Sequence, residues 1–213
     1  MTALKTRLRL YLVTDAFLCT TPDLVTTVRL AVANGVTMVQ LREKTATTAQ
    51  RVQMALALKE ALAGTGVPLV VNDDVAAAVA ADVDGAHIGQ GDMSIAQARA
   101  LLGPDKILGL SCETSQAVQA ADPALVDYLG LGPVFGTATK TDHAQPIGLD
   151  GLAQLVALSP LPNVAIGGLK ATHIGDVHKS GADGMAVVSA ICGQADPAAA
   201  TRAFKALITE EAL

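Results

Sequence analysis

Val67-Pro68-Leu69-Val70-Val71-Asn72-Asp73-Asp74-Val75-Ala76-Ala77-Ala78-Val79-Ala80-Ala81-Asp82-Val83-Asp84-Gly85-Ala86-His87-Ile88 is the stretch on which the fold turns. Val67 to Val71 is a short apolar run of strand type, ending in polar residues. Asp73 to Ala81 reads as a short Ala-rich helix, and Gly85 to Ile88 as a second strand. Two buried strands joined by a helical crossover make a βαβ unit, the building block of a parallel sheet.

The same rhythm extends in both directions. Strand-like runs occur at Leu8 to Val13, Val36 to Leu41, Lys106 to Leu110, Asp127 to Leu131, Asn163 to Ile166 and Gly184 to Val188. Helical runs follow each of them, the first opened by Thr21-Pro22-Asp23 and stopped by Asn34-Gly35, the last spanning Pro197 to Ile208. Eight strands alternating with eight helices in 213 residues predict an α/β fold. The expected architecture is a single (β/α)8 TIM barrel forming one domain over residues 1–213. An open flavodoxin-like sheet is the alternative and needs fewer strands. Nothing in the chain reads as a linker or a repeat beyond this rhythm.

Composition narrows the function. Apolar residues make up 51% of the chain and aromatics 2%, so the core has to be built from Ala, Val, Leu and Ile. That share of aromatics argues against a nucleic-acid binder that stacks bases. A net charge of −5 gives no global attraction for a polyanion, so any anionic ligand must be met by local cations or backbone amides. Cys19, Cys112 and Cys192 lie far apart and form no zinc-type spacing. Their odd number predicts free thiols in a reducing compartment, the cytoplasm. Met1 to Leu12 lacks the apolar run of a signal peptide, and no segment reads as a membrane span.

In barrels of this kind chemistry gathers where the strands end. After the second strand, alternation puts Gln40, Arg42 and Lys44 on one side of the chain, where two cations and an amide converge if that side faces the barrel mouth. Solvated outward charges are the alternative. The third strand ends in Asn72-Asp73-Asp74 and the fourth in Gly89-Gln90-Gly91-Asp92. Neighbouring strands lie about 4.8 Å apart, so Asp73 and Asp92 could share one cation. Mg2+ typically takes one or two carboxylates plus substrate phosphates and waters. Asp74 could instead simply cap the next helix, and Ser94 is better placed than Asp92 to cap the one after. Gly132 to Lys140, rich in glycine and hydroxyls, suits an anionic group, or is an ordinary loop. Gly167-Gly168 follows the seventh strand, where phosphate sites recur in such barrels. The four histidines show no ligand spacing, and His87 reads as a packed core residue. Ser111 has no evident His–acid pair beside it and reads as a hydrogen-bonding residue rather than a nucleophile.

An ordered set of segments resembles the thiamine phosphate synthase family. It comprises Tyr11 to Asp15, Val39 to Lys44, Val71-Asn72-Asp73, His87 to Asp92, Gly130 to Phe135 with Thr137 to Lys140, and Ala165 to Gly168. The match runs in one order from about residue 9 to residue 192. The resemblance implies an enzyme that joins a hydroxymethylpyrimidine diphosphate to a thiazole phosphate and releases pyrophosphate, with Mg2+ as cofactor. It implies that Gln40, Leu41, Arg42, Glu43, Lys44, Asn72, Ser111 and Lys140 hold the pyrimidine diphosphate. Of these, Arg42, Lys44, Ser111 and Lys140 would serve the chemistry. Asp73 and Asp92 would bind the metal, and Thr137, Ala138, Thr139, Gly168, Val188 and Ser189 the thiazole phosphate. The family's route is dissociative and asks for no protein nucleophile. Its partners would be small molecules, with neither nucleic acid nor membrane; the oligomeric state stays open.

Two positions depart from the family pattern. Gly136 stands where proline is common, and Glu113 where histidine is common. A thiazole tautomerase would keep the barrel but lack the set of Arg42, Lys44, Asp73, Asp92 and Lys140. An aldolase would want a lysine inside a strand, and none is present there. A non-catalytic barrel that binds a thiamine precursor would use the same residues, so turnover is what separates it.

Overall fold

The computed structural model describes residues 3–136 and 145–211. Eight parallel strands close into a barrel in chain order, with β1 hydrogen-bonded to β8. They are β1 (Leu10–Val13), β2 (Met38–Leu41), β3 (Leu69–Asn72), β4 (Gly85–Ile88), β5 (Ile107–Cys112), β6 (Tyr128–Leu131), β7 (Asn163–Ile166) and β8 (Met185–Val187). Outside them lie α2 (Leu24–Asn34), α3 (Thr48–Ala61), α4 (Val75–Ala80), α5 (Ile95–Leu102), α6 (Ser115–Ala120), α7 (Gly148–Leu158), α8 (Ile174–Lys179) and α9 (Pro197–Glu211). A short α1 (Ala3–Arg7) precedes the first strand. The sequence reading had no helix there and began β1 at Leu8. The closed barrel, not the open sheet, is the observed architecture.

Side-chain alternation divides the apolar residues into two cores. Leu8, Tyr11, Val13, Met38, Val70, Tyr128, Val164 and Ala186 fill the barrel interior. A larger layer that includes Leu12, Val39, Leu41, Val71, Ile88, Leu108, Leu110 and Leu131 packs between strands and helices. Most strands are therefore apolar on both faces, as in a sheet covered by helices, while β4 and β5 turn His87 and Ser111 toward the cavity.

The helices start where capping residues stand. Asp23, Thr47, Asp74, Ser94 and Thr114 each accept a backbone N–H from the first turn. The capping roles foreseen for Asp74 and Ser94 are thus observed. Pro22 falls before its cap, not inside the helix.

The N-terminal end of the barrel carries a fourfold device. Thr37, Asp84 and Asp127 immediately precede β2, β4 and β6, and Asp183 stands two residues before β8. Each accepts an N–H from the start of the preceding odd strand, from Leu10, Leu69, Leu108 and Asn163 respectively, at 2.7–3.0 Å. The sequence reading saw no repeat because Thr and Asp do the same work here. Among the described residues no helix is long and apolar enough to cross a membrane. All three cysteines are buried and free.

Candidate active site

A cavity of about 450 Å3 opens at the C-terminal ends of the strands. Gln40, Arg42, Lys44, Asn72, Asp73, Asp92, Ser111, Gly168, Val188 and Ser189 all line it. Alternation along β2 accounts for the first three: residues two apart share a face, and this face turns inward. Leu41 and Glu43, of the opposite parity, do not line the cavity. Leu41 is buried in the layer beneath the helices, and the Glu43 carboxylate accepts from Thr45 N–H and Oγ at 2.9 Å. Thr137, Ala138, Thr139 and Lys140 lie outside the described residues. Glu113 lines the cavity as well.

The cations and acids are interleaved. Lys44 Nζ lies 3.6 Å from Asp73 Oδ2, and Arg42 Nη1 lies 3.7 Å from Asp15 Oδ2. Thr14 Oγ accepts Arg42 N–H at 3.1 Å, so the end of β1 sets where β2 delivers its arginine. Asp73 sits at φ 63°, a left-handed conformation that few residues other than glycine adopt. This turn follows directly on the N–H of Asp73 bonding to the His87 carbonyl at 2.8 Å. Burial, then the neighbouring Asp92 carboxylate, raises the Asp73 pKa above the ordinary aspartate value, and Lys44 partly offsets both. Asp92 is held by Gly89 N–H, 2.7 Å from its Oδ2. Two carboxylates forced together at the rim of a cavity are a donor set that suits a divalent cation with open positions for phosphate. No cluster of three or more metal-ligating side chains exists among the described residues.

The glycines after β7 have a packing cause beyond any ligand. Val134 and Phe135 N–H groups bond the carbonyls of Ile166 and Gly167 at 2.9 and 3.0 Å. A Cβ on Gly168 would meet the Gly136 carbonyl at 2.6 Å and Phe135 Cβ at 2.8 Å. The segment after β6 is therefore laid directly on Gly167-Gly168, and Gly136 is one of the contacts.

Sequence reasoning missed the barrel's polar interior. His87 is buried, as foreseen, but it also lines the cavity, and its Nε2 lies 2.9 Å from Ser111 Oγ. Its other nitrogen meets Tyr128 Oη at 2.9 Å. Ser111 thus does have a histidine beside it, and the other nitrogen of that histidine meets a phenol. The chain's only two tyrosines meet at the barrel centre, Oη to Oη 2.8 Å. The inward parity of Tyr11, shared with Val13, was the available signal.

Known proteins carry the same arrangement of sequence and fold. The family pattern described as thiamine monophosphate synthase matches residues 10–191. A thiamine-phosphate synthase of Psychrobacter sp. (strain PRwf-1) is 53% identical over 193 residues, spanning 89% of this chain and 90% of the relative. Another, of Xanthobacter autotrophicus (strain ATCC BAA-1158 / Py2), is 51% identical over 201 residues, spanning 94% and 95%. Among solved structures, a thiamine phosphate pyrophosphorylase from Pyrococcus furiosus superposes with a TM-score of 0.88 at 35% identity, covering 97% of this chain and 98% of that one. A 3-hexulose-6-phosphate synthase shares the fold alone, with a TM-score of 0.69 at 19% identity. With the family pattern spanning the barrel from its first strand to the segment after its last, the chain belongs to the thiamine monophosphate synthase family and is an enzyme, a transferase.

Proposed function

We propose that the chain joins 4-amino-2-methyl-5-hydroxymethylpyrimidine diphosphate to thiazole phosphate, giving thiamine phosphate and pyrophosphate. The observation that carries this reading is the interleaving of charge at the cavity rim: Lys44 beside Asp73, which neighbours Asp92, and Arg42 beside Asp15. A diphosphate needs cations, and a carboxylate pair beside it suits a metal lying between.

In this reading Gln40, Asn72 and Ser111 hold the pyrimidine ring, while Arg42 and Lys44 meet the diphosphate. Lys140 joins them by the resemblance. Gly168, Val188 and Ser189, with Thr137 to Thr139, hold the thiazole phosphate. Asp73 and Asp92 would hold Mg2+, which when bound supplies positive charge to the departing pyrophosphate. The bond between the pyrimidine methylene and the diphosphate oxygen breaks, its electron pair leaving with pyrophosphate. The methylene is left cationic, and the thiazole nitrogen supplies the pair for the new C–N bond. No protein atom is required as nucleophile. Arg42 and Lys44 meet the charge that grows on the leaving group, and the barrel holds both substrates in line.

Pyrophosphate release by purified protein tests this, with both substrates, each alone, and EDTA. Release that needs both substrates and the metal, with thiamine phosphate formed, supports the synthase. Absence of turnover despite calorimetric binding of thiazole phosphate would sink it in favour of a tautomerase-like enzyme or a binding protein.

A further inference from the structure

Five side chains cross the cavity floor in one hydrogen-bonded line. Gln40 Nε2 donates to Tyr11 Oη at 2.7 Å, and Tyr11 Oη lies 2.8 Å from Tyr128 Oη. Tyr128 Oη lies 2.9 Å from His87 Nδ1, and His87 Nε2 lies 2.9 Å from Ser111 Oγ. The line runs through β2, β1, β6, β4 and β5, and room is cleared for it. A Cβ on Gly109 would collide with Tyr128 and His87, and one on Gly130 would press on the His87 ring at 3.2 Å.

Counting protons gives the line a direction. Burial pushes the pKa of both phenols up, so each keeps its single proton. Gln40 Nε2 donates to Tyr11 Oη, and the acceptor within reach of the Tyr11 proton is Tyr128 Oη, so that proton goes to Tyr128. The Tyr128 proton then goes to His87 Nδ1, which has to be bare. A neutral imidazole with a bare Nδ1 carries its proton on Nε2 and donates it to Ser111 Oγ. The Ser111 hydroxyl hydrogen is left for the cavity. At the other end the Gln40 amide nitrogen is committed to Tyr11, so its carbonyl oxygen is what remains for a ligand.

We propose that Tyr11, Tyr128 and His87 are positioning residues that present Gln40 as an acceptor and Ser111 as a donor, and so select a 4-aminopyrimidine over a 4-oxopyrimidine. The ligand half of this rests on the function proposed above. A 4-aminopyrimidine edge offers an exocyclic N–H donor beside a bare ring nitrogen. The 4-oxo form reverses both, and a site built for one sense leaves groups unpaired with the other. Because every link has one proton to give, the two ends are tied to opposite senses. Neither end can adapt alone.

Two measurements test the proposal. The first is nitrogen NMR of ligand-free protein labelled at histidine, with His87 identified by its loss in His87→Gln. At neutral pH wild type is expected to show a protonated Nε2 and a bare Nδ1. Tyr11→Phe keeps this tautomer, and Tyr128→Phe turns it into a mixture. The second is calorimetric binding of the pyrimidine diphosphate and its 4-oxo analogue. The preference for the amino form is expected to fall roughly tenfold or more in Tyr11→Phe and in Tyr128→Phe. Tyr11→Phe carries this test alone if Tyr128→Phe does not fold. A protonated Nδ1 in wild type, or an unchanged preference in a folded variant, overturns the proposal. Binding of neither pyrimidine by wild type, with the expected tautomer present, supports the relay and overturns the pyrimidine reading together with the selectivity built on it.

Discussion

Asp73 concentrates the conflict between folding and chemistry in one side chain. Its folded-state pKa is raised, so its contribution to stability is full below the unfolded value and is lost as pH rises through the folded value. At neutral pH the ionised carboxylate beside Asp92 is a cost that a bound cation would relieve. Asp73→Asn is therefore expected to melt higher than wild type in metal-free buffer at pH 7 and to lose Mg2+-dependent pyrophosphate release. A lower midpoint with turnover retained would sink the metal assignment. Asp73→Ala should also lose turnover but fall about 1 kcal/mol below the Asn variant in urea unfolding, because Ala tolerates φ 63° poorly. The identity of Asp73 as a candidate was legible in the sequence. Its place beside Asp92 was expected from the spacing of neighbouring strands; its strained backbone was not, since that depends on how β3 and β4 pair. Gln40, Arg42 and Lys44 were legible because strand parity is a local property. The same parity that turned them inward turned Leu41 and Glu43 away from the cavity.

At the scale of elements, the two ends of the barrel separate stability from chemistry. Asp84 accepts Leu69 N–H at 2.8 Å on the N-terminal face, far along the strands from the cavity. Asp84→Ala is expected to cost about 1–2 kcal/mol in urea unfolding, with kcat/KM within twofold of wild type; a large loss of turnover would contradict that separation. Asp74 does similar work for α4. It caps the helix through Ala77 N–H at 2.9 Å and pairs with Arg51 at 3.0 Å. Burial opposes its ionisation, but the bonds from Ala77, Thr48 and Arg51 outweigh that and lower its pKa. A depressed acid stabilises the fold above its unfolded value and loses that contribution as pH falls through the folded value. Asp74→Ala should thus cost about 1 kcal/mol at pH 7, and the gap to wild type should close as pH falls below the ordinary aspartate range. A gap independent of pH would show that packing, not the carboxylate, makes the difference.

At the scale of the molecule, ligand and fold should be linked. The cavity draws on residues from all eight strands or the segments that follow them, so whatever fills it ties the whole barrel together. Mg2+ plus the pyrimidine diphosphate, each at about 100 times its dissociation constant, is expected to stabilise the barrel by about 2.7 kcal/mol or more. The check is a shift in the urea midpoint that neither Mg2+ alone nor the diphosphate with EDTA reproduces. Equal shifts with and without the metal would detach Asp73 and Asp92 from the diphosphate.

The sequence by itself determined the βα rhythm, the caps and the polar residues that end each strand, because those signals lie within a few residues of one another. It could also be matched to a family, through segments that keep their order along the chain. Only the tertiary structure decided that the sheet closes from β8 onto β1. Only it brought Tyr11, Gln40, His87, Ser111 and Tyr128 into one line, from five strands and up to 117 residues apart. Hydrogen bonds at that separation leave no local pattern. Their partners are chosen by strand order and register, which exist only once the barrel is closed.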